Sequence, residues 1–142
     1  MNAPGFNPIN WNCTVSGCFN YHRHFEIEHF AQCFPRKIGM TDLDGFVEVN
    51  GHFLIVEFKQ AGDQFRKGAD LTTGQRLAFE RLTLLSDKLT VIVARCNYVT
   101  SDISEFYSIH GGHAGAWHKT TFEAFADKLS VWAREADKAE AA

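Results

Sequence analysis

Hydrophobic and polar positions are most legible in the middle of the chain. Residues 41–49 and 52–59 are rich in Val, Phe and Ile, and Asn50-Gly51 lies between them. An Asn-Gly pair between two β-forming runs predicts a tight hairpin, because a type I′ turn needs positive φ at both central residues. Further on, Gln75, Phe79 and Leu82 fall on one stripe at i, i+4 and i+7, with Ala78 and Leu85 beside it. This spacing predicts a helix over 73–87. Leu89–Ala94 is a short, mostly apolar run of the kind found in a buried strand. Ser104–Ile109 predicts another strand before Gly111, Gly112 and Gly115 break the chain. A last helix is expected from about Thr121: Thr120 and Glu123 have capping-box spacing, and Phe122, Phe125, Leu129 and Trp132 supply an apolar face.

The flanks are less patterned. Residues 1–20, rich in Asn, Gly and Pro, predict irregular structure. Phe25, Ile27, His29, Phe30 and Phe34 have no clean period; 22–34 is read as a helix ended by Pro35. Residues 60–71 are polar, contain Gly62 and Gly68, and are expected to form a loop. The Ala-rich, charged tail at 138–142 is expected to fray. Together these elements predict a single α/β domain over 1–142. Its central mixed sheet contains the 41–59 hairpin and the 89–95 strand, with helices on both sides.

Composition narrows the classes. At 142 residues and 45% hydrophobic, the chain can fill one core. No apolar run approaches the roughly 20 residues that span a bilayer, and Met1–Asn12 lacks the basic start and apolar stretch of a secretory signal. A cytosolic setting with reduced Cys13, Cys18, Cys33 and Cys96 is the expectation. The net charge of −3 gives no general attraction for nucleic acid, although Glu135, Asp137 and Glu140 put part of that excess in the tail. Basic residues cluster at Arg23, Arg36 with Lys37, Arg66 with Lys67, and Arg76 with Arg81. Of these, Arg36, Lys37 and Arg76 are the candidate nucleic-acid contacts.

Counting outward from the turn brings chemistry into view. If Val49 pairs with His52, then Asp44 lies opposite Glu57 and Asp42 opposite Lys59. Opposed residues share a face with Cβ atoms roughly 4.5–5.5 Å apart, so two carboxylates sit side by side with an ammonium next to them. Like charges directly opposed destabilise a sheet pair, and a divalent cation between them removes the repulsion. Hard oxygen ligands suit Mg²⁺ or Mn²⁺. The alternative is an ordinary hairpin with both acids at a solvated edge and Lys59 screening them.

Asp44, followed after the turn by Glu57-Phe58-Lys59, resembles the D…(D/E)-x-K signature of the PD-(D/E)XK nuclease superfamily. Thr41-Asp42-Leu43-Asp44-Gly45 is similar to the start of that hairpin in small phage-type and resolvase-like members. Gln75 resembles the glutamine on the helix after the E-x-K strand in several branches, with Phe79 in place of the tyrosine of Q-x3-Y. The likeness spans about residues 38–85. Leu43 stands where the motif's name has proline. The resemblance implies a restriction-endonuclease-like fold and Mg²⁺- or Mn²⁺-dependent hydrolysis of DNA, in recombination or repair in a bacterial or phage-infected cell. It implies that Asp44, Glu57 and the Phe58 carbonyl hold the cation. Lys59 would orient water or hold the phosphate, and Gln75 would position Lys59 or the nucleophile. Glu26 or Glu28 would supply an additional acid, with Asp42 as a further ligand or a partner of Lys59. A homodimer follows by analogy with resolvases.

Rival readings use other residues. Cys13, Cys18, His22 and Cys33 are zinc-ligand types at unfamiliar spacing. His110-Gly111-Gly112-His113 with His118 suggests a second metal site, a histidine nuclease or a flexible, solvated segment, and Trp117 with these histidines offers rings to stack on bases or contact phosphates. In a different class, the chain is a catalytically silent nuclease-like module that grips nucleic acid or a protein partner.

Overall fold

The computed structural model describes residues 27–61 and 70–139, without the Glu28 side chain. Chain contacts divide the protein into residues 1–41 and 42–142. In the first unit, Ile27–Cys33 form a 3-10 helix. The helix expected over 22–34 is thus of the 3-10 type where it is described, in keeping with its lack of a 3.6-residue period. A turn follows, closed by the Ile38 N–H on the Pro35 carbonyl at 3.1 Å.

The second unit is α/β. Among the described residues, a six-stranded mixed sheet is flanked by two helices. Its elements are β1 (Gly45–Val49), β2 (His52–Gln60), α1 (Thr73–Thr83), β3 (Leu89–Cys96), β4 (Ile103–His110), β5 (His113–Ala114), β6 (His118–Lys119) and α2 (Phe122–Lys138). Strand order is β1-β2-β3-β4-β5, with β6 also on β4. β2 and β3 are parallel, and α1 is the crossover a parallel pair requires. The other pairs are antiparallel.

The hairpin has the expected register: Val49 pairs with His52 and Gly45 with Val56. Asn50 and Gly51 have φ of 51° and 79°, as a type I′ turn demands. β1 starts at Gly45 rather than at 41, so the ladder pairing of Asp42 with Lys59 does not form. The reason lies at Asp44, whose main chain bonds to the Glu57 carboxylate and whose carboxylate bonds to the Phe58 N–H in place of ladder bonds.

Alternation along β2 divides the core. Leu54 and Val56 face Ile92, Ala94, Ile103, Phe106 and Phe125, with Phe58, Leu129 and Trp132 packed alongside. Ile55 faces Phe79, Leu89, Val91, Val93, Tyr107 and Ile109, with Leu82 and Trp117 against them. Both faces of β2 are therefore buried, one towards α2 and the other towards α1. Each fully buried aliphatic side chain here contributes about 1.5–3 kcal/mol.

Other boundaries shift for local reasons. α1 stops at Thr83, short of 87, because the Leu84 and Leu85 N–H groups close tight turns on the carbonyls of Arg81 and Leu82. Leu85, placed beside the core stripe from its spacing, is 79% exposed. α2 is capped by Thr121, whose Oγ1 accepts the Ala124 N–H at 3.2 Å; Thr120 instead gives its N–H to the Ser104 carbonyl. With Thr121 as cap, Ala124 occupies the third helical position and no reciprocal capping box exists. Phe122 is half-exposed rather than part of the buried face. Lys138, expected in the frayed tail, is still helical. Gly111 and Gly112, with φ of 57° and 82°, make a tight turn that pairs His110 with His113, so this stretch is not a loose segment. No described helix is long and apolar enough to cross a membrane.

Candidate active site

The site lies where β1 runs out beside β2. The last ladder pair is Gly45 with Val56, and the chain then leaves the strand. Beyond that point side chains replace the ladder. The Asp44 N–H donates to Glu57 Oε1 at 3.3 Å, and Asp44 Oδ2 accepts the Phe58 N–H at 2.9 Å. These two bonds lock Asp44 beside Glu57, as the register implies. They also explain why β1 begins one residue later.

Glu57 and Lys59 stand on the α1 face of β2, two residues apart. The helix meets them through Gln75. The Gln75 amide Nε2 donates to Glu57 Oε2 at 3.1 Å, and Oε1 accepts from Lys59 Nζ at 3.0 Å. Gln75 also closes a capping box with Thr72: its N–H donates to Thr72 Oγ1 and its Oε1 accepts the Thr72 N–H. Gln75 is therefore at once part of the helix start and bonded to both Glu57 and Lys59.

Glu57 is only 3% exposed, although it bears a carboxyl. Burial, then a side-chain hydrogen bond and the negative charge of Asp44, push its pKa up to about 7; the Asp44 N–H and the Lys59 ammonium oppose this. Without a cation, a proton is what relieves two neighbouring carboxylates.

An outer layer holds the start of α1. The Tyr107 hydroxyl donates to Asp70 Oδ1 at 2.6 Å, and Arg76 pairs with Asp70 Oδ2 at 3.2 Å. Burial and the Asp70 contact hold the Tyr107 phenol well above its usual range, so it stays a donor. Tyr107 also meets the Trp117 ring edge-on at 4.5 Å, and the Arg95 guanidinium lies 3.7 Å over Trp117 while pairing with Glu105 at 2.7 Å. Tyr98 reaches the site from the turn after β3, its hydroxyl donating to the Phe58 carbonyl at 3.1 Å. Tyr98, Asp70 and Tyr107 were not recognised from the sequence. Tyr98 is 40 residues from Phe58, and no local pattern marks such a partner.

Asp44, Glu57, Phe58, Lys59 and Gln75 are thus brought together. Asp42 is exposed and precedes β1. Arg76 is engaged by Asp70. Arg36 and Lys37 belong to the first unit and are exposed. Glu26, Cys13, Cys18 and His22 lie outside the described residues, as does the Glu28 side chain; Cys33 is exposed. His118 packs on Phe106, its ring centroid 5.6 Å away, and His110 Nδ1 lies 3.3 Å from Thr90 Oγ1. Among the described residues no three His, Cys, Asp or Glu side chains form a metal-holding group. Comparison with protein-family models, curated proteins and solved structures gives no match.

Proposed function

We propose that the chain is a metal-dependent nuclease that hydrolyses DNA phosphodiester bonds, with a PD-(D/E)XK-type site on a restriction-endonuclease-like form of the α/β fold. The observation that carries this reading is the buried Glu57 locked against Asp44, with Lys59 tethered to the same carboxylate through Gln75. A structural hairpin gains nothing from opposing two acids where one is buried, whereas a cation site requires it.

The donor set fits Mg²⁺ or Mn²⁺. Two carboxylates and the Phe58 carbonyl are hard oxygen ligands, and Mg²⁺ typically takes one or two carboxylates and keeps several waters. When bound, such a cation lowers the pKa of a water and stabilises charge on the phosphate. The chain's own residues do the rest. Asp44 and Glu57 hold the cation. The Lys59 ammonium, presented beside Glu57 by the Gln75 amide, orients the attacking water or holds a phosphate oxygen. Gln75, anchored as part of a helix cap, keeps carboxylate and ammonium at fixed separation.

On this reading the setting is a bacterial or phage-infected cytoplasm, in DNA recombination or repair. A homodimer would give so small a domain enough surface for branched DNA. One observation favours the silent module in the form that grips a protein partner: Arg76 and Arg95 are already engaged by Asp70 and Glu105, which leaves less positive charge for a phosphate backbone.

The test is cleavage of labelled duplex, single-stranded, flap and junction DNAs with Mg²⁺, Mn²⁺ or EDTA, for the native chain, Glu57→Ala and Lys59→Ala. Metal-dependent cutting lost in both variants is expected. A folded protein that cuts nothing, or variants that cut as well as the native chain, would sink the nuclease reading in favour of the binding module.

A further inference from the structure

After β3 the chain turns through residues 97–102 before entering β4. This turn is braced by its own bonds. Asn97 Oδ1 accepts the Val99 N–H at 2.9 Å and the Thr100 N–H at 3.1 Å, and Thr100 Oγ1 donates to Asp102 Oδ2 at 2.8 Å. Tyr98 is pinned to β2 at two points. Its N–H donates to Gln60 Oε1 at 2.7 Å, and its hydroxyl to the Phe58 carbonyl at 3.1 Å. The turn is therefore fastened to the residues on either side of Lys59.

Phe58 lies two positions past the last residue of β2 that β1 pairs. Side chains serve its main chain instead: Asp44 takes the N–H, and Tyr98 donates to the carbonyl. Tyr98 is 63% exposed, so its ring buries little and packing does not account for its position. A carbonyl oxygen has two lone pairs, and one phenol uses one of them.

We propose that Tyr98 is a positioning residue of the candidate cation site: its hydroxyl fixes the orientation of the Phe58 carbonyl and leaves the second lone pair for a divalent cation shared with Asp44 and Glu57. The proposal rests on the nuclease reading for its cation. Partners that orient a metal ligand tune affinity even though they never touch the metal.

Tyr98→Phe keeps the ring and the Gln60 anchor and deletes only the hydroxyl. The experiment titrates the full chain with Mn²⁺ by calorimetry for the native protein, Tyr98→Phe and Glu57→Ala, with thermal unfolding in EDTA and DNA cleavage beside it. The Mn²⁺ Kd of Tyr98→Phe is expected to rise about 5–10-fold. Its Tm in EDTA should fall by no more than about 3 °C. The Mn²⁺ concentration for half-maximal cleavage should rise by the same factor as Kd. If the native chain binds Mn²⁺ and Tyr98→Phe binds it within twofold as well, the positioning role is wrong and the nuclease reading stands. A lowered Tm with unmoved Kd marks a purely structural tyrosine and overturns the proposal equally. If the native chain binds no Mn²⁺, or Glu57→Ala binds it as tightly, the cation site itself fails and takes the proposal with it.

Discussion

Replacing Glu57 by Gln removes the ionisation but keeps the shape, and the consequence for stability can be worked through. In the metal-free protein the Glu57 pKa stands at about 7 against an ordinary 4.5. Below pH 4.5 the carboxyl is neutral in both folded and unfolded chains. As pH rises, the unfolded chain ionises first, so the folded state holds the extra proton and loses stability until pH passes 7. The gap corresponds to roughly 2–3 kcal/mol once the part due to exposed Asp44 is discounted for screening by water and salt. An amide cannot ionise, so the Glu57→Gln variant should lack this loss. It carries its own penalty of about 1 kcal/mol at all pH values, because its amide nitrogen faces a donor, either the Asp44 N–H or Gln75 Nε2. Urea unfolding in EDTA from pH 4.5 to 8.5 is the assay. The difference between native chain and variant cancels the other titrating groups. Native minus variant stability should fall by roughly 2–3 kcal/mol across that range and change sign within it. Saturating Mg²⁺ at pH 8 should restore the native chain by about 3 kcal/mol at 100 times its Kd and do little for the variant. A difference that is flat, or that rises with pH, would show that Glu57 is neither desolvated nor in repulsion with Asp44, and the site as built here would be wrong.

Two further outcomes concern the frame that holds the site. Asn50 Nδ2 donates to the carbonyls of Ala136 and Ala139, tying the hairpin tip to the end of α2. Asn50→Gly keeps the positive φ and should lose about 1 kcal/mol in urea unfolding, whereas Asn50→Ala adds the backbone strain and should lose about 2 kcal/mol; equal losses would deny the turn its role. Thr83, 1% exposed, accepts the Gly112 N–H at 3.0 Å and donates to the Phe79 and Glu80 carbonyls. Thr83→Val should cost about 1–3 kcal/mol and speed amide exchange at Gly112; unchanged exchange there would refute the link between α1 and the β4–β5 turn.

The sequence by itself determined the elements whose cause is local. Asn50-Gly51 imposes positive φ at two successive residues, and that one constraint set the hairpin register and hence the meeting of Asp44 with Glu57. The apolar run in β3 marked a buried strand, and the helix stripe through Phe79 marked α1. Boundaries were less readable wherever another element captured the backbone. Asp44 stops β1 at Gly45 through bonds to Glu57 and Phe58, and Ser104 takes the N–H of Thr120 and so passes the cap to Thr121. The candidate site follows the same division. Its acids and its lysine lie on one hairpin, where spacing alone puts them on a common face. Only the tertiary structure decided that the Gln75 amide spans Glu57 and Lys59, that Tyr107 and Arg76 grip Asp70, and that Tyr98 reaches Phe58. Those contacts depend on the parallel packing of β3 beside β2 and on where α1 docks across them. Such choices are made by burial summed over the whole sheet, and no short stretch of sequence carries them.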